Sequence, residues 1–243
     1  NLIGHEGISS LGLSLSNLMK LRDLNVYFRE ANKITNESFG IFCESIGELE
    51  KLEGLELGFE NCELIESSGF IKLANSVSKL TELTKVMVDF ENCVNIEDEG
   101  FACFMKSLAE KKRLSNLIIY MKGCVEISDL TLEALSSSLA TLQNLAEFVL
   151  LLDFSDLTSK GLCELATGLT ELKQLRQLTI STNGCKNVDD ESVLTVTKAI
   201  FTLSTIKEVV LILKKCPKIT EIGLSKTIEL LSTRPNLDMK IYH

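Results

Sequence analysis

Tryptophan is absent from the 243-residue chain, proline occurs only at Pro217 and Pro235, and the two histidines are His5 and His243. Each scarcity excludes something. With so few prolines and no polar or low-complexity stretch, nothing marks a flexible hinge, and residues 1–243 read as one domain. With histidine confined to the two ends, no Ser/His/Asp or Cys/His set can be assembled for nucleophilic catalysis. No G-x-x-x-x-G-K-[ST] and no strand-borne G-x-G-x-x-G is present to cradle a phosphate. No run of eighteen apolar residues occurs, so no membrane span is expected. Neither a signal peptide nor an initiating methionine is visible, and Asn1 falls inside a repeat unit, so the chain is expected to be part of a longer one. Lys and Arg total 25 against 34 Asp and Glu, a formal net charge of −9. That balance argues against nucleic acid, whose phosphates draw on surplus cations. The one compact basic run, Lys111-Lys112-Arg113, reads as the solvated end of a helix.

What the chain does have is a period. Leu52-Glu-Gly-Leu55-Glu-Leu57-Gly-Phe59 aligns with Leu83-Thr-Lys-Val86-Met-Val88-Asp-Phe90 and with Leu114-Ser-Asn-Leu117-Ile-Ile119-Tyr-Met121. The second apolar position recurs at 24, 55, 86, 117, 148, 178 and 209, a step of 31 residues with one step of 30 between 148 and 178. An eighth, weaker copy is Leu237-Asp-Met239-Lys-Ile241. The alternation within each copy is that of a strand. A helix-start signal follows at one phase: Thr35-Asn36, Glu66-Ser67, Glu97-Asp98, Ser128-Asp129, Thr158-Ser159, Asp189-Asp190 and Thr220-Glu221. Apolar residues then recur at three and four, as in Phe70, Leu73, Val77 and Leu80, or Leu132, Leu135, Leu139 and Leu142. One such unit cannot bury its own apolar face, whereas stacked copies can. The acidic residues cluster at the helix starts, where capping accounts for them without paired-carboxylate catalysis.

The L-x-x-L-x-L motif resembles the leucine-rich repeat, and the long unit with a full helix is similar to the ribonuclease-inhibitor subclass. The segments Asn92-Cys93-Val-Asn-Ile96-Glu-Asp-Glu-Gly100 and Gly184-Cys185-Lys-Asn-Val188-Asp-Asp resemble the cysteine-containing repeats of F-box substrate adaptors. One departure is a strand segment about two residues longer than that family's before the Cys, a form that resembles repeats of ciliates and other protists. The resemblance implies an α/β fold: a right-handed solenoid or horseshoe of about eight strand-turn-helix units, with a parallel sheet on its concave face. It implies a non-catalytic scaffold or adaptor that binds a partner protein, without cofactor or metal, in the cytoplasm and within a ciliary or cytoskeletal assembly. Three other readings fit the class: a ubiquitin-ligase substrate adaptor, a GTPase-activating regulator, for which no residue can be assigned, and an extracellular repeat with oxidised cysteines. Uncapped ends add edge-to-edge self-association as a further possibility.

Five of the eight cysteines fall at one phase, Cys62, Cys93, Cys124, Cys185 and Cys216, where the other units have Ala31 and Ser155. The position therefore asks for a small residue at a tight turn. Stacked cysteines on neighbouring strands could meet disulfide or soft-metal geometry. The alternative is small thiols packing as apolar groups, and the lack of any C-x-x-C pair favours it. Cys43, Cys103 and Cys163 fall in the helical parts. Eight thiols without a disulfide-like spacing point to a reducing compartment.

If the L-x-L residues point into the core, the alternate positions face outward on the concave side. In chain order these are Asn25 and Tyr27, Glu56 and Gly58, Met87 and Asp89, Ile118 and Tyr120, Val149 and Leu151, Thr179 and Ser181, Val210 and Ile212. The run Ile118, Tyr120, Val149, Leu151 is an apolar patch of the kind that marks contact sites. The candidate partner-binding residues are Met87, Asp89, Ile118, Tyr120, Val149, Leu151, Val210 and Ile212, with Asp89, Glu91, Lys122 and Asp153 expected in a charged rim. The opposing reading is that β-branched and aromatic side chains suit strands without any partner, or that a bulge at the two extra residues reverses the facing.

Overall fold

The computed structural model describes residues 3–243. The expected tail of a preceding repeat at Asn1-Leu2-Ile3 therefore lies largely outside the described residues. Eight five-residue strands follow the period: β1 Asp23–Tyr27, β2 Gly54–Gly58, β3 Lys85–Asp89, β4 Asn116–Tyr120, β5 Glu147–Leu151, β6 Gln177–Ser181, β7 Glu208–Ile212 and β8 Asp238–Tyr242. They form one parallel sheet in sequence order, and the pairing register advances by one repeat at each step, as in Leu55 with Val86 and Val86 with Leu117. Among the described residues the helices are α1 His5–Leu15, α2 Asn36–Ile46, α3 Ser67–Lys79, α4 Asp98–Leu108, α5 Asp129–Leu139, α6 Ser159–Leu169, α7 Asp190–Thr202 and α8 Glu221–Ser232. Each helix packs on the next one in the series. This is a leucine-rich-repeat solenoid. Helices need about 10 Å of width and strands only about 4.8 Å, so stacking one of each per unit puts the sheet on the inner side of the curve.

The alternation falls as expected. Leu55, Leu57, Val86, Val88, Leu117 and Ile119 are fully buried, together with the helix residues Phe70, Leu73, Val77, Leu132, Leu135 and Leu139. No bulge reverses the facing. The longer strand segment instead extends the pairing: Phe59 N–H donates to Asp89 O at 2.7 Å and Asn61 N–H to Glu91 O at 2.8 Å, with the same pair of bonds in each neighbouring unit. The extension ends at a left-handed residue in every unit, namely Glu30, Asn61, Asn92, Gly123, Phe154, Gly184 and Lys215. Asparagine and glycine tolerate that conformation, whereas a bulky residue such as Phe154, at φ 60°, is strained by it.

The small residue comes next, and the structure gives it a second duty. The Cys93 thiol donates to Phe59 O at 3.1 Å, Cys124 to Phe90 O at 3.2 Å and Cys216 to Thr182 O at 3.1 Å, each reaching back one repeat. Ser155 donates within its own unit, to Leu152 O at 2.6 Å. Burial pushes the Cys124 thiol up to about 12, so it stays protonated and donating at neutral pH. All eight cysteines are free, and Cys103 and Cys163 are half-buried.

Helix starts show a similar reach between units. In five units the first residue of a helix accepts from the N–H of the next repeat's N-cap residue, whereas Ser159 donates to Asn187 O at 3.1 Å. Asp129 accepts from Thr158 N–H at 2.8 Å and Thr158 Oγ1 at 2.5 Å, and Asp190 accepts from Thr220 N–H at 2.7 Å. Asp98 and Asn36 do the same for Ser128 and Glu66. Gly161 and Gly223 sit beneath these carboxylates, where any Cβ would collide with Asp129 or Asp190. The expected caps Thr35, Ser128, Thr158, Asp189 and Thr220 accept from N–H groups in the first turn of their own helices, whereas Glu66 and Glu97 do not, and the acids Asp98, Asp129 and Asp190 serve the next unit instead. Lys111, expected to be solvated, is 3% exposed. Its ammonium donates to Ser78 O at 2.8 Å in the last turn of α3, the neighbouring helix. Burial lowers its pKa.

Asp129→Ala should lower the stability of the solenoid by about 1–2 kcal/mol, the range expected for a lost cap with two donors left unpaired. Urea unfolding followed by circular dichroism reads this, and an unchanged midpoint would mean the inter-repeat caps contribute nothing.

Candidate protein-docking face

Strand pairing turns the outward positions into rows that cross the sheet. One row runs Asn25, Glu56, Met87, Ile118, Val149, Thr179, Val210, Lys240, and the next runs Tyr27, Gly58, Asp89, Tyr120, Leu151, Ser181, Ile212, Tyr242. All eight residues singled out from the sequence lie in these two rows and all are half-buried, their flanks covered by neighbours and their outer surfaces open. Met87, Ile118 and Val149 are consecutive in the first row, and Tyr120 and Leu151 adjoin them in the second. Thr179 and the buried Ser181 interrupt both rows before Val210 and Ile212.

Two rows flank these: Glu91, Lys122 and Asp153 of one are expected from the sequence as rim, whereas Arg29, Glu60 and Asn183 of that row and all of the other are not, although the same two-residue alternation carried one step further finds them. On one side lie Lys85, Asn116, Glu147, Gln177 and Glu208, all polar. On the other lie Arg29, Glu60, Glu91, Lys122, Asp153 and Asn183. At the β1–β3 end, the Tyr27 hydroxyl donates to Glu56 at 2.6 Å, and the Lys85 ammonium also pairs with Glu56. These two contacts hold the Glu56 carboxyl below the usual range, the Lys85 bond acting most.

The expected charged rim needs one correction. Asp153 is 8% exposed and faces inward along the rim: it accepts from the Ser181 hydroxyl, and from Asn183 N–H at 3.1 Å. Asn183 Nδ2 also donates to it at 3.3 Å, so it is a structural acceptor. Asp89, Glu91 and Lys122 are half-buried as a rim requires. Lys122 approaches Glu91 at 3.8 Å, and Arg29 pairs with Glu60 at 2.6 Å. Asp89 accepts from Glu91 N–H at 3.1 Å. Burial raises the Asp89 carboxyl against the pull of that N–H, and burial raises Glu91 with help from Asp89 and Glu60.

The one shortened unit leaves its own mark. The loop after Ser155 has one residue fewer than the loops after Cys124 and Cys185, and an open trough of about 300 Å³ lies between those neighbours, lined by Val125, Phe154, Asp156, Lys186 and Asn187. The Phe154 ring is 42% exposed there, with the Lys215 ammonium 5.7 Å from its centroid.

Among the described residues, no three His, Cys, Asp or Glu side chains are grouped to hold a metal ion, and no helix is long and apolar enough to cross a membrane. No protein-family model and no curated protein matches the chain. Among solved structures, the leiomodin-1 actin-binding site 2 is similar over 65% of this chain and 85% of its own, at 18% identity and a TM-score of 0.49. So distant a likeness carries no argument, and the fold rests on the repeat geometry itself.

A carboxylate whose pKa is raised by folding binds more protons folded than unfolded between its two pKa values, so stability falls as pH rises through that window. The cost is fully present at neutral pH and absent below the ordinary carboxylate range. Asp89→Asn keeps the acceptor oxygen for Glu91 N–H and removes that cost. It should raise the thermal midpoint at pH 7 and leave it unchanged near pH 3; a lowered midpoint at pH 7 would show the ionised carboxylate to be stabilising.

Proposed function

We propose that the chain is a non-catalytic scaffold or adaptor that binds a partner protein on the concave face of its solenoid. The observation that carries this is the contiguous apolar stripe of Met87, Ile118, Tyr120, Val149 and Leu151 on a rigid parallel sheet. Burying a side chain of this size contributes roughly 1.5–3 kcal/mol, so a handful of them can anchor a partner. Val210 and Ile212 extend the contact beyond the Thr179–Ser181 break. The long cysteine-containing unit supports a ribonuclease-inhibitor-like subclass, and its resemblance to protist repeats supports a cytoplasmic place in a cytoskeletal or ciliary assembly.

The test is capture from a lysate of the source organism by wild type and by Val149→Asp with Leu151→Asp, both checked for folding by circular dichroism. A partner retained by wild type and reduced at least tenfold by the double variant supports the reading. Equal capture by both would remove the stripe from the interface. An associated ligase subunit or small GTPase among the captured proteins would favour the corresponding alternative for the class.

A further inference from the structure

We infer that the segment seated on this stripe is cationic as well as apolar: a stretch of partner protein whose apolar side chains cover Ile118, Val149 and Leu151 while an arginine enters the carboxylates of Glu60, Asp89 and Glu91. The inference rests on the docking face proposed above and narrows what that face takes.

Asp89 is in register with Tyr120, which is in register with Leu151, so its carboxylate stands at the end of an apolar row. Glu60 and Glu91 lie one row further out. Three carboxylates thus share two cations, Arg29, engaged with Glu60 at 2.6 Å, and Lys122, 3.8 Å from Glu91. Asp89 has no lysine or arginine within ion-pair distance among the described residues. Of the other cations on these rows, Lys85 is tied to Glu56, Lys240 to Glu208 and Asp238, and Lys214 lies over the Tyr242 ring. A half-buried carboxylate beside apolar surface is costly until a cation joins it, and covering the stripe would deepen that burial. Among cations, a guanidinium suits this corner best. Its planar fork can bridge two carboxylates, and its face can lie on the Tyr120 ring. An acidic segment would bring like charge into the same space.

The probes are three ten-residue peptides that share Leu, Ile and Val at alternate positions and carry Arg, Gln or Glu between them. Their binding to the full chain is read by fluorescence anisotropy. The Arg peptide is expected to bind at least tenfold tighter than the Gln peptide and the Glu peptide weakest, with the preference shrinking as salt is added. Asp89→Asn with Glu91→Gln should erase the preference for Arg while leaving the Gln peptide unchanged. The uncharged variant Val149→Ser with Leu151→Ser should weaken all three peptides. Equal binding of the Arg and Gln peptides, or an Arg preference that survives Asp89→Asn with Glu91→Gln, overturns the inference while leaving the docking face standing. Peptides that fail to bind, or that bind Val149→Ser with Leu151→Ser as well as wild type, overturn the docking face itself.

Discussion

Everything in this molecule depends on one constraint: a repeat cannot satisfy its own groups. Its apolar strand and helix faces are buried only between neighbours, and many of its polar groups are answered across the same boundary. The thiol of Cys93 finds the carbonyl of Phe59, the carboxylate of Asp129 finds the N–H of Thr158, and the ammonium of Lys111 finds the last turn of α3. Each of these bonds spans about one period in sequence and closes locally in space. The period is therefore enforced from three layers at once, strand turn, helix start and helix end. That is why units with such different side chains keep the same register.

The same constraint separates duty from freedom. Inward positions must be apolar, the turn must be left-handed and then small, and the helix start must hydrogen-bond to the next unit. Outward positions on the strands carry none of these demands. An apolar residue there is not required by the fold, and polar residues occupy the same positions in other units, as Asn25, Glu56 and Thr179 do. Cross-strand packing explains why Ile118 and Val149 suit each other. It does not explain why the apolar residues gather on β3–β5 and thin out on β1, β2 and β6.

Much of the fold was legible because its signals are periodic. Strand phase, helix start and the inward set came from counting, and all seven expected cap residues, Thr35 through Thr220, stand at the N-cap. What stayed hidden was anything decided by a partner one unit away. Asp98 looks like an ordinary first-turn acid, Lys111 like part of a basic run, and Asp153 like a rim charge. Only the neighbour's geometry shows that the first caps Ser128, the second is buried against Ser78 and the third is held by Ser181 and Asn183. The outward rows were readable as an alternation, but their charge balance was not, because it depends on which cation reaches which carboxylate.

The single break in the period bears on where the face begins and ends. The shortened step falls between β5 and β6, and β6 is also where Thr179 and Ser181 interrupt the apolar rows. At the same unit Phe154 accepts a left-handed backbone that four of the other six units give to Asn or Gly, and Asp153 turns from the rim to bind Ser181. Length, backbone, row composition and rim charge therefore change together at one boundary. A regular solenoid offers a partner no reason to stop at any particular repeat. Here the boundary would supply one, with the apolar and acidic surface on β3–β5 on one side and Val210, Ile212 and Tyr242 on the other.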